Sequence, residues 1–163
     1  MYEVETRHMP ARTLLCLQRG VDGQEGAWAL GKEFVALLRA SALPAMDGRS
    51  GATFCIYWGE VNEDSDGPIE WCRPVPDEQA EALAAKVPEL SMRHEPAHRE
   101  AFVSLGPGGR VSPAQWHVIS ESLRAWAHEH GAHPSELGAR VTFLAVAPVT
   151  ETSQPDCDFA VPI

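Results

Sequence analysis

Two acidic residues, Glu70 and Asp158, occupy the same place in two similar short segments of this sequence. Each is followed by an aromatic residue, a small residue, any residue, a proline and an aliphatic residue. A carboxylate held in an apolar cleft must raise its pKa or bind a cation, because uncompensated burial of charge is costly. The pair therefore indicates a site for a cationic ligand or for acid–base chemistry.

Aromatic residues near these acids could form the walls of such a site. Tyr57 and Trp58 lie on the strand predicted to adjoin Glu70, and Trp28 and Trp116 lie near the starts of two predicted helices. Flat rings stack on planar ligands and attract cations through their π faces. The alternative interpretation is that Glu70 is solvated or paired with Arg73 or another arginine, and that the tryptophans belong to the core.

The remaining reactive groups predict no metal and no cofactor. The histidines of His128-x-His130-x-x-His133 do not all share one helix face, and helix C-terminal imidazoles are commonly solvated. The cysteines are isolated, with no C-x-x-C, which favours buried reduced thiols over a disulfide or a zinc site. They are Cys16, Cys55, Cys72 and Cys157. The glycine-rich segment 106–110 lacks the phosphate-loop and dinucleotide motifs and is interpreted as a turn.

The elements that must position the acids follow from the pattern of apolar residues. Residues 2–9 and 13–19 predict strands on either side of a bend at Pro10, and helical spacing predicts a helix from about Trp28 to Leu43. Residues 53–60 and 68–75 then predict a hairpin. Residues 77–86 have helical propensity but few large apolar side chains, which predicts an exposed linker helix.

The second half of the chain repeats this order. The segment Arg7-His8-x-Pro10-Ala11 recurs as Arg93-His94-x-Pro96-Ala97, and a second helix begins after Ser112, its predicted N-cap. Trp116 follows Trp28 by 88 residues, and Asp158 follows Glu70 by the same number. The sequence predicts one domain over residues 1–163, with repeat one at about 1–76, a linker at about 77–87 and repeat two at about 88–163.

The predicted fold class is α+β, with two pseudo-symmetric strand-helix-strand-strand repeats, an antiparallel sheet, two main helices and a central cleft. Side chains alternate along a strand, so Ile69 and Trp71 should pack under the helices while Glu70 lies on the opposite face. In the second repeat Ala145 and Val146 stand where Tyr57 and Trp58 stand in the first. The site is therefore expected to centre on Glu70, with Asp158 as a secondary counterpart.

Composition limits the partners. The 163 residues carry 23 acidic and 13 basic side chains, a net charge of −10, which disfavours nucleic acid and anionic lipid as partners. No apolar run is long enough to span a membrane, and the N-terminal residues do not form a secretion signal, so a cytoplasmic location is predicted. The sequence does not indicate an oligomeric state.

Taken together, these segments resemble the GyrI-like small-molecule-binding proteins, which include the effector-binding domains of multidrug-responsive bacterial regulators. The resemblance covers the whole chain and is carried by the two x-Pro-Ala bends, Cys55-Ile56-Tyr57-Trp58, Glu70-x-x-x-Pro74-Val75, Leu123-x-x-Trp126 and Asp158-x-x-x-Pro162-Ile163. It implies a two-repeat fold with a central ligand cleft, in which the acid matched by Glu70 engages cationic ligands. Tyr57 and Trp58 match positions that are usually aromatic, and Trp116 matches one that is commonly tyrosine.

The resemblance leaves three functions open. The first is a stand-alone binder that senses or sequesters hydrophobic, planar, cationic or neutral drugs. It is expected to stand alone because residue 2 already begins the first strand, with no helix-turn-helix before it. The second is a hydrolase that opens the cyclopropane ring of DNA-alkylating natural products, with Glu70 activating water. The third, contact with DNA gyrase, has little support in this sequence.

Overall fold

Eight strands and three α-helices form the part of the chain that the computed structural model describes, residues 2–40, 49–58, 67–105, 113–143 and 157–163. In chain order these elements are β1 (Glu5–Met9), β2 (Arg12–Val21), α1 (Gly23–Ala40), β3 (Phe54–Tyr57), β4 (Gly67–Val75), α2 (Asp77–Lys86), β5 (Ser91–Glu95), β6 (His98–Leu105), α3 (Pro113–Glu129), β7 (Ala139–Phe143) and β8 (Cys157–Pro162), with a 3-10 turn at Arg49–Gly51. No helix within these ranges has the length and apolar character to cross a membrane. The predicted α+β class is confirmed.

All eight strands belong to one antiparallel sheet, in the order β1-β6-β8-β7-β3-β4-β2-β5. The repeats exchange their first strands, since β1 pairs with β6 of the second repeat and β5 pairs with β2 of the first. The pairing registers of the two repeats also agree, because Gln18 faces Glu70 in one and Ser104 faces Asp158 in the other. The two pseudo-symmetric repeats predicted from the sequence are confirmed.

The two halves of the sheet meet where β3 pairs with β7. Phe54 of β3 and Thr142 of β7 are register partners. They are also equivalent positions of the two repeats, since 88 residues separate them, as in the pairs of tryptophans and acids. A twofold axis that relates two paired antiparallel strands must pass between the two register partners that are also equivalent residues of the repeats. The pseudo-twofold axis therefore passes between Phe54 and Thr142.

Two short connections force the sheet to curl. Strand β1 ends at Met9 and β2 begins at Arg12, and likewise β5 ends at Glu95 and β6 begins at His98. Three residue steps span at most about 11 Å. Each connected pair of strands is six places apart in the sheet, which would be about 29 Å if the sheet were flat. The sheet therefore curls into a half-barrel around a cleft, with corners at Pro10 and Pro96.

The helices cover one face of the sheet, here called the helix face. Apolar residues at helical spacing pack each helix onto the strands, as periodicity requires. On α1 these are Ala27, Leu30, Phe34 and Leu38, which join a core with Leu15, Leu17, Ile69 and Trp71 of β2 and β4. On α3 they are Ile119 and Leu123, which join a second core with Ala101, Val103, Val141 and Phe159 of β6 to β8.

The other face of the sheet, here called the ion-pair face, is also buried but carries charge. A small apolar cluster of Leu14, Cys16, Phe54, Ile56 and Cys72 lies there. The buried charged side chains are Arg12, Glu70, Glu95, Glu100, Arg140 and Asp158. Strand alternation thus divides β4 as predicted, with Ile69 and Trp71 under the helices and Glu70 on the opposite face.

The linker helix α2 differs from the prediction in its exposure. The helix is present at the predicted residues, but Ala80 and Leu83 are buried, at 1% and 6% exposed, against Val75 and Val87 of the first core. Two small apolar residues at i, i+3 make a stripe wide enough to pack a short helix. Other predicted features lie outside the described residues: Leu43, Ser112, the 106–110 segment, Ala145 and Val146.

Gly31 of α1 sits directly against the indole of Trp71, and its replacement is expected to separate the helix from the sheet. A Cβ at this position would lie 2.6 Å from Cζ2 of Trp71. Alanine favours a helix by about 1 kcal/mol over glycine, but overpacking a core costs about 1–3 kcal/mol. We expect Gly31→Ala to lower the free energy of unfolding, measured by urea denaturation. The matched control is Gly20→Ala, where a Cβ meets nothing within 4 Å; equal stability of the two variants would contradict the prediction.

Candidate functional site

A cluster of aromatic rings lies on the helix face beneath α1. The ring of Trp71 on β4 stacks on that of Phe143 on β7, with 5.3 Å between centroids and 16° between planes. Trp28 of α1 meets both rings, 6.4 Å from Trp71 and 5.9 Å from Phe143. The indole of Trp71 is also fixed by a hydrogen bond from Nε1 to the carbonyl oxygen of Ala27, at 3.1 Å. A rigid buried indole thus supports two rings that are only partly buried.

The cluster continues across the junction of the two cores. Tyr57 of β3 and Phe143 pack against both the first core and the second. Trp116 of α3 packs on the second core, with its ring 5.3 Å from that of Phe159. Trp28, Tyr57, Trp116 and Phe143 are each half-buried and are here called the aromatic seam. Large rings left partly open between two helices form the kind of apolar surface that binds hydrophobic ligands.

Trp58 lies apart from the aromatic seam. It is 38% exposed, and the guanidinium carbon of Arg93 lies 5.8 Å from its ring centroid. Arg93 belongs to the ion-pair face, so Tyr57 and Trp58 serve opposite faces of the sheet although they are neighbours in sequence. The register partner of Glu70 on β3 is Ile56, and alternation along the strand places Trp58 on the same face as Ile56.

Both repeat-matched acids are held by arginines. Arg93 donates to the two carboxylate oxygens of Glu70, from Nη2 at 2.6 Å and from Nε at 3.3 Å. Arg7 donates in the same way to Asp158, from Nη1 at 2.6 Å and from Nη2 at 2.9 Å. Arg7 and Arg93 are equivalent positions of the repeat, and each pairs with the acid of the other repeat. The exchanged first strands therefore tie the two halves together by two bidentate ion pairs.

The two pairs differ in exposure. The Arg7 side chain is 11% exposed, and a second carboxylate, that of Glu100, lies 2.8 Å from its Nη2 atom. The Arg93 side chain is 29% exposed, and its only other polar neighbour within the described residues is the Sγ atom of Cys72, at 3.9 Å. The Glu70 pair is therefore the one nearer to solvent.

A larger ion-pair network fills the middle of the ion-pair face. One carboxylate oxygen of Glu95 forms an ion pair with Arg12 at 2.6 Å, and the other forms an ion pair with Arg140 at 2.7 Å. Burial raises the pKa of Glu95, but the charge of Arg140 and the hydrogen bond from Arg12 outweigh it and the pKa is lowered. Burial likewise raises the pKa of Glu100, but a hydrogen bond from His98 and the charge of Arg7 lower it to about 2. Both carboxylates are therefore ionised under ordinary conditions.

The structure thus divides the six predicted site residues between two faces. Trp28, Tyr57 and Trp116 lie on the helix face, where Trp28 packs on the first core, Trp116 on the second and Tyr57 on both. Glu70, Asp158 and Trp58 lie on the ion-pair face. Because a sheet separates its two faces by a layer of backbone, no single bound molecule of ordinary size contacts both sets.

Two contributors were missed by sequence reasoning. Phe143 of the aromatic seam lies in a segment with a strand pattern. Its equivalent in the first repeat is Cys55, so comparing the two repeats does not indicate an aromatic ring at this position. Arg93 was recognised only as part of the repeated bend. Its match with Arg7, 86 residues away, and the match of Glu70 with Asp158, 88 residues away, have nearly the same spacing. This was the available signal that the four residues form two pairs.

The thiols and the histidines behave largely as predicted. The four cysteines are free, and three of them are buried. Burial raises the pKa of Cys55 and of Cys72, so both are protonated thiols. His130 stacks on Trp126 with 4.3 Å between ring centroids, and its Nδ1 atom lies 2.8 Å from the carbonyl oxygen of the same residue.

The fold can be compared with known proteins, whereas the sequence matches no protein-family model and no curated protein. The C-terminal domain of EcmrR superposes with a TM-score of 0.72 at 13% identity, over 99% of this chain and 97% of that domain. This chain has the GyrI-like fold.

Two further solved structures share the GyrI-like fold with this chain. A hydrolase encoded by lin2189 from Listeria innocua has a TM-score of 0.61 at 11% identity, over 99% of this chain and 91% of that one. SAV2435, solved with bound tetraphenylphosphonium, has a TM-score of 0.53 at 14% identity, over 98% of this chain and 93% of that one. The predicted GyrI-like resemblance is confirmed at the level of the fold.

Proposed function

We propose that this protein binds hydrophobic, planar small molecules in the cleft at the aromatic seam and thereby senses or sequesters them. The observation that carries the proposal is the set of half-buried rings, Trp28, Tyr57, Trp116 and Phe143, where the two cores meet. SAV2435, which has the same fold, was solved with the aromatic cation tetraphenylphosphonium.

The physical case rests on burial of apolar area. A ligand that packs on the rings of the aromatic seam removes its own rings and those of the protein from water, at about 25 cal/mol per Å². Indole faces also attract a cation, by about 2 kcal/mol when the contact is desolvated. Lipophilic aromatic cations therefore fit the seam even without a carboxylate beside them.

Glu70 and Asp158 define an alternative binding site, on the ion-pair face of the sheet. The sequence-based prediction that Glu70 neutralises a bound cation requires the ligand to displace Arg93, which already holds both carboxylate oxygens. Trp58 would then be the stacking surface. Asp158 is fully buried under Arg7 and is the less accessible acid of the two.

A hydrolase is the second candidate, because a Listeria innocua protein with this fold is described as one. For cyclopropane opening by Glu70, its carboxylate must orient or deprotonate a water molecule. The Glu70 carboxylate is 4% exposed and bonded to Arg93, so this activity also requires Arg93 to move. Mass-spectrometric detection of multiple turnovers of water addition to a cyclopropane-bearing alkylator would establish it, whereas stoichiometric depletion supports binding.

The binding site is tested with tetraphenylphosphonium as the probe, followed by isothermal titration calorimetry. Because Trp28 and Trp116 each supply a stacking and cation–π surface of about 1.5 kcal/mol, we expect Trp28→Ala and Trp116→Ala each to raise Kd about 10-fold. The matched control is Trp126→Ala, since Trp126 also lies on α3 but stacks on His130 near the end of that helix.

Glu70→Gln then distinguishes the two faces. If the ligand lies at the aromatic seam, this variant binds with wild-type Kd; if it lies beside Glu70, this variant weakens binding while Trp28→Ala does not. Binding that is unchanged by Trp28→Ala and Trp116→Ala would overturn the proposed site.

A further inference from the structure

Two thiols and a carboxylate meet on the ion-pair face of the first repeat. Cys16 of β2 and Cys72 of β4 are register partners, and their Sγ atoms are 3.6 Å apart. Glu70 precedes Cys72 by two residues and therefore points to the same face. One ligand atom from each of the three residues lies within 4.8 Å of the other two, and all three residues are buried.

The second repeat does not have this arrangement. The positions equivalent to Cys16 and Cys72 are Phe102 and Ala160, which are register partners in the same place between β6 and β8. The phenyl ring of Phe102 is covered by the guanidinium of Arg7, at 4.3 Å from its centroid. Since the second repeat builds the same pair of strands without thiols, the sheet itself does not require two cysteines there.

The spacing of the two sulfurs matches a tetrahedral metal site. Zinc binds cysteine sulfur at about 2.3 Å and carboxylate oxygen at about 2.0 Å, so tetrahedral angles place two sulfurs about 3.8 Å apart and a sulfur and an oxygen about 3.5 Å apart. The Sγ atoms of Cys16 and Cys72 are 3.6 Å apart. The two strands are therefore already positioned to share one ion.

The charges also balance. Without a metal, two neutral thiols lie beside the Glu70–Arg93 ion pair, for a total of zero. With a divalent ion, two thiolates and the Glu70 carboxylate contribute −3, while the ion and Arg93 contribute +3, and the total is again zero. A buried site tolerates such an exchange because no net charge is added to it.

We propose that Cys16, Cys72 and Glu70 bind one Zn²⁺ ion, which links β2 to β4 on the face opposite the aromatic seam. Each thiol releases its proton to solvent as its sulfur binds the ion, and a water molecule completes the fourth position. Arg93 holds the carboxylate of Glu70 from outside, as the hydrogen-bonded partners of metal ligands commonly do. The bound ion stabilises the folded chain because the unfolded chain has no preformed site.

The site is tested on the full chain, stripped with a chelator and kept reduced, with Co²⁺ as a spectroscopic probe. We expect one equivalent of Co²⁺ to produce a thiolate-to-metal charge-transfer band and the visible bands of tetrahedral Co²⁺, both removed by Zn²⁺. Zn²⁺ should also raise the thermal midpoint of unfolding. Cys16→Ser and Cys72→Ser should each lose the charge-transfer band, whereas Cys55→Ser, another buried cysteine on the helix face, should keep it.

A measurement on the unaltered protein guards against loss of folding in the serine variants. X-ray absorption of the zinc-loaded wild-type chain should show two sulfurs at about 2.3 Å. A shell of nitrogen and oxygen alone, or no retained zinc after dialysis, would overturn the proposal. So would a wild-type mass two hydrogens lower under the same reducing conditions, because Cys16 and Cys72 would then form a disulfide in place of a metal site. Tetraphenylphosphonium binding is a separate readout, so a failed zinc site leaves the proposed ligand cleft standing.

Discussion

Replacing Glu95 with glutamine is expected to lower the free energy of unfolding by about 3–5 kcal/mol, a large fraction of the stability of a typical domain. The carboxylate of Glu95 lies between Arg12, at 2.6 Å, and Arg140, at 2.7 Å, and all three side chains are nearly inaccessible to water. An amide carries no charge, and its NH₂ group would face one of the guanidinium groups. Arg12 and Arg140 would then lose the anion between them, and Arg140 would keep only the more distant carboxylate of Glu100, 3.8 Å from its Nε atom. Urea denaturation at neutral pH measures the change.

Two controls separate this effect from a general cost of removing a charge. Glu121→Gln removes a carboxylate from a pair whose side chains are 54% and 67% exposed, so it should change stability by less than about 0.5 kcal/mol. In the double variant Glu95→Gln/Arg140→Met, one of the two uncompensated cations is gone, so the loss should be smaller than the sum of the single losses. A loss below about 1 kcal/mol for Glu95→Gln would show that water or relaxation compensates the arginines.

Acidification is expected to remove about 3 kcal/mol of stability through Glu100 alone. The pKa of Glu100 is lowered from 4.5 to about 2 by its bond to His98 and by the charges of Arg7 and Arg140. Because the folded pKa is the lower one, the unfolded chain binds the proton first as the pH falls. The stabilisation is therefore complete above about pH 5 and is lost between that pH and about pH 2. Glu95, whose pKa is also lowered, adds to the loss in the same direction.

The measurement is the free energy of unfolding in urea at pH values from 6 to 3. Glu100→Gln should be less stable than wild type at pH 6 and should lose less stability as the pH falls, because the titrating group is gone. Glu121→Gln should follow the wild-type curve. Equal wild-type stability at pH 3 and pH 6 would contradict the pairing of Glu100 with Arg7 and His98.

Much of the fold was predictable because its signals are local. The spacing of Trp28, Phe34 and Leu38 predicts a helix. Alternation along β4 separates Trp71 from Glu70 without any knowledge of the rest of the molecule. The duplication was visible for the same reason. Two equivalent stretches of chain keep the same order of local patterns.

The partners of the acids were not predictable in this way. Arg7 and Asp158 are 151 positions apart, and they meet because each repeat gives its first strand to the other. A strand pattern states which face a side chain occupies but not which strand lies beside it. From the sequence alone, Glu70 could face solvent, a ligand, Arg73 or another arginine. The sheet order makes Arg93 the partner in place of Arg73.

Periodicity and spacing along the chain are enough to predict the pair of repeats, the two faces of each strand and the matched acids Glu70 and Asp158. The pairing of the strands adds that Tyr57 and Trp58 serve different faces of the sheet and that both acids are bonded to arginine. It also brings Cys16 and Cys72 together. These features arise from contacts between strands far apart in sequence, whose pairing depends on the curl of the whole sheet.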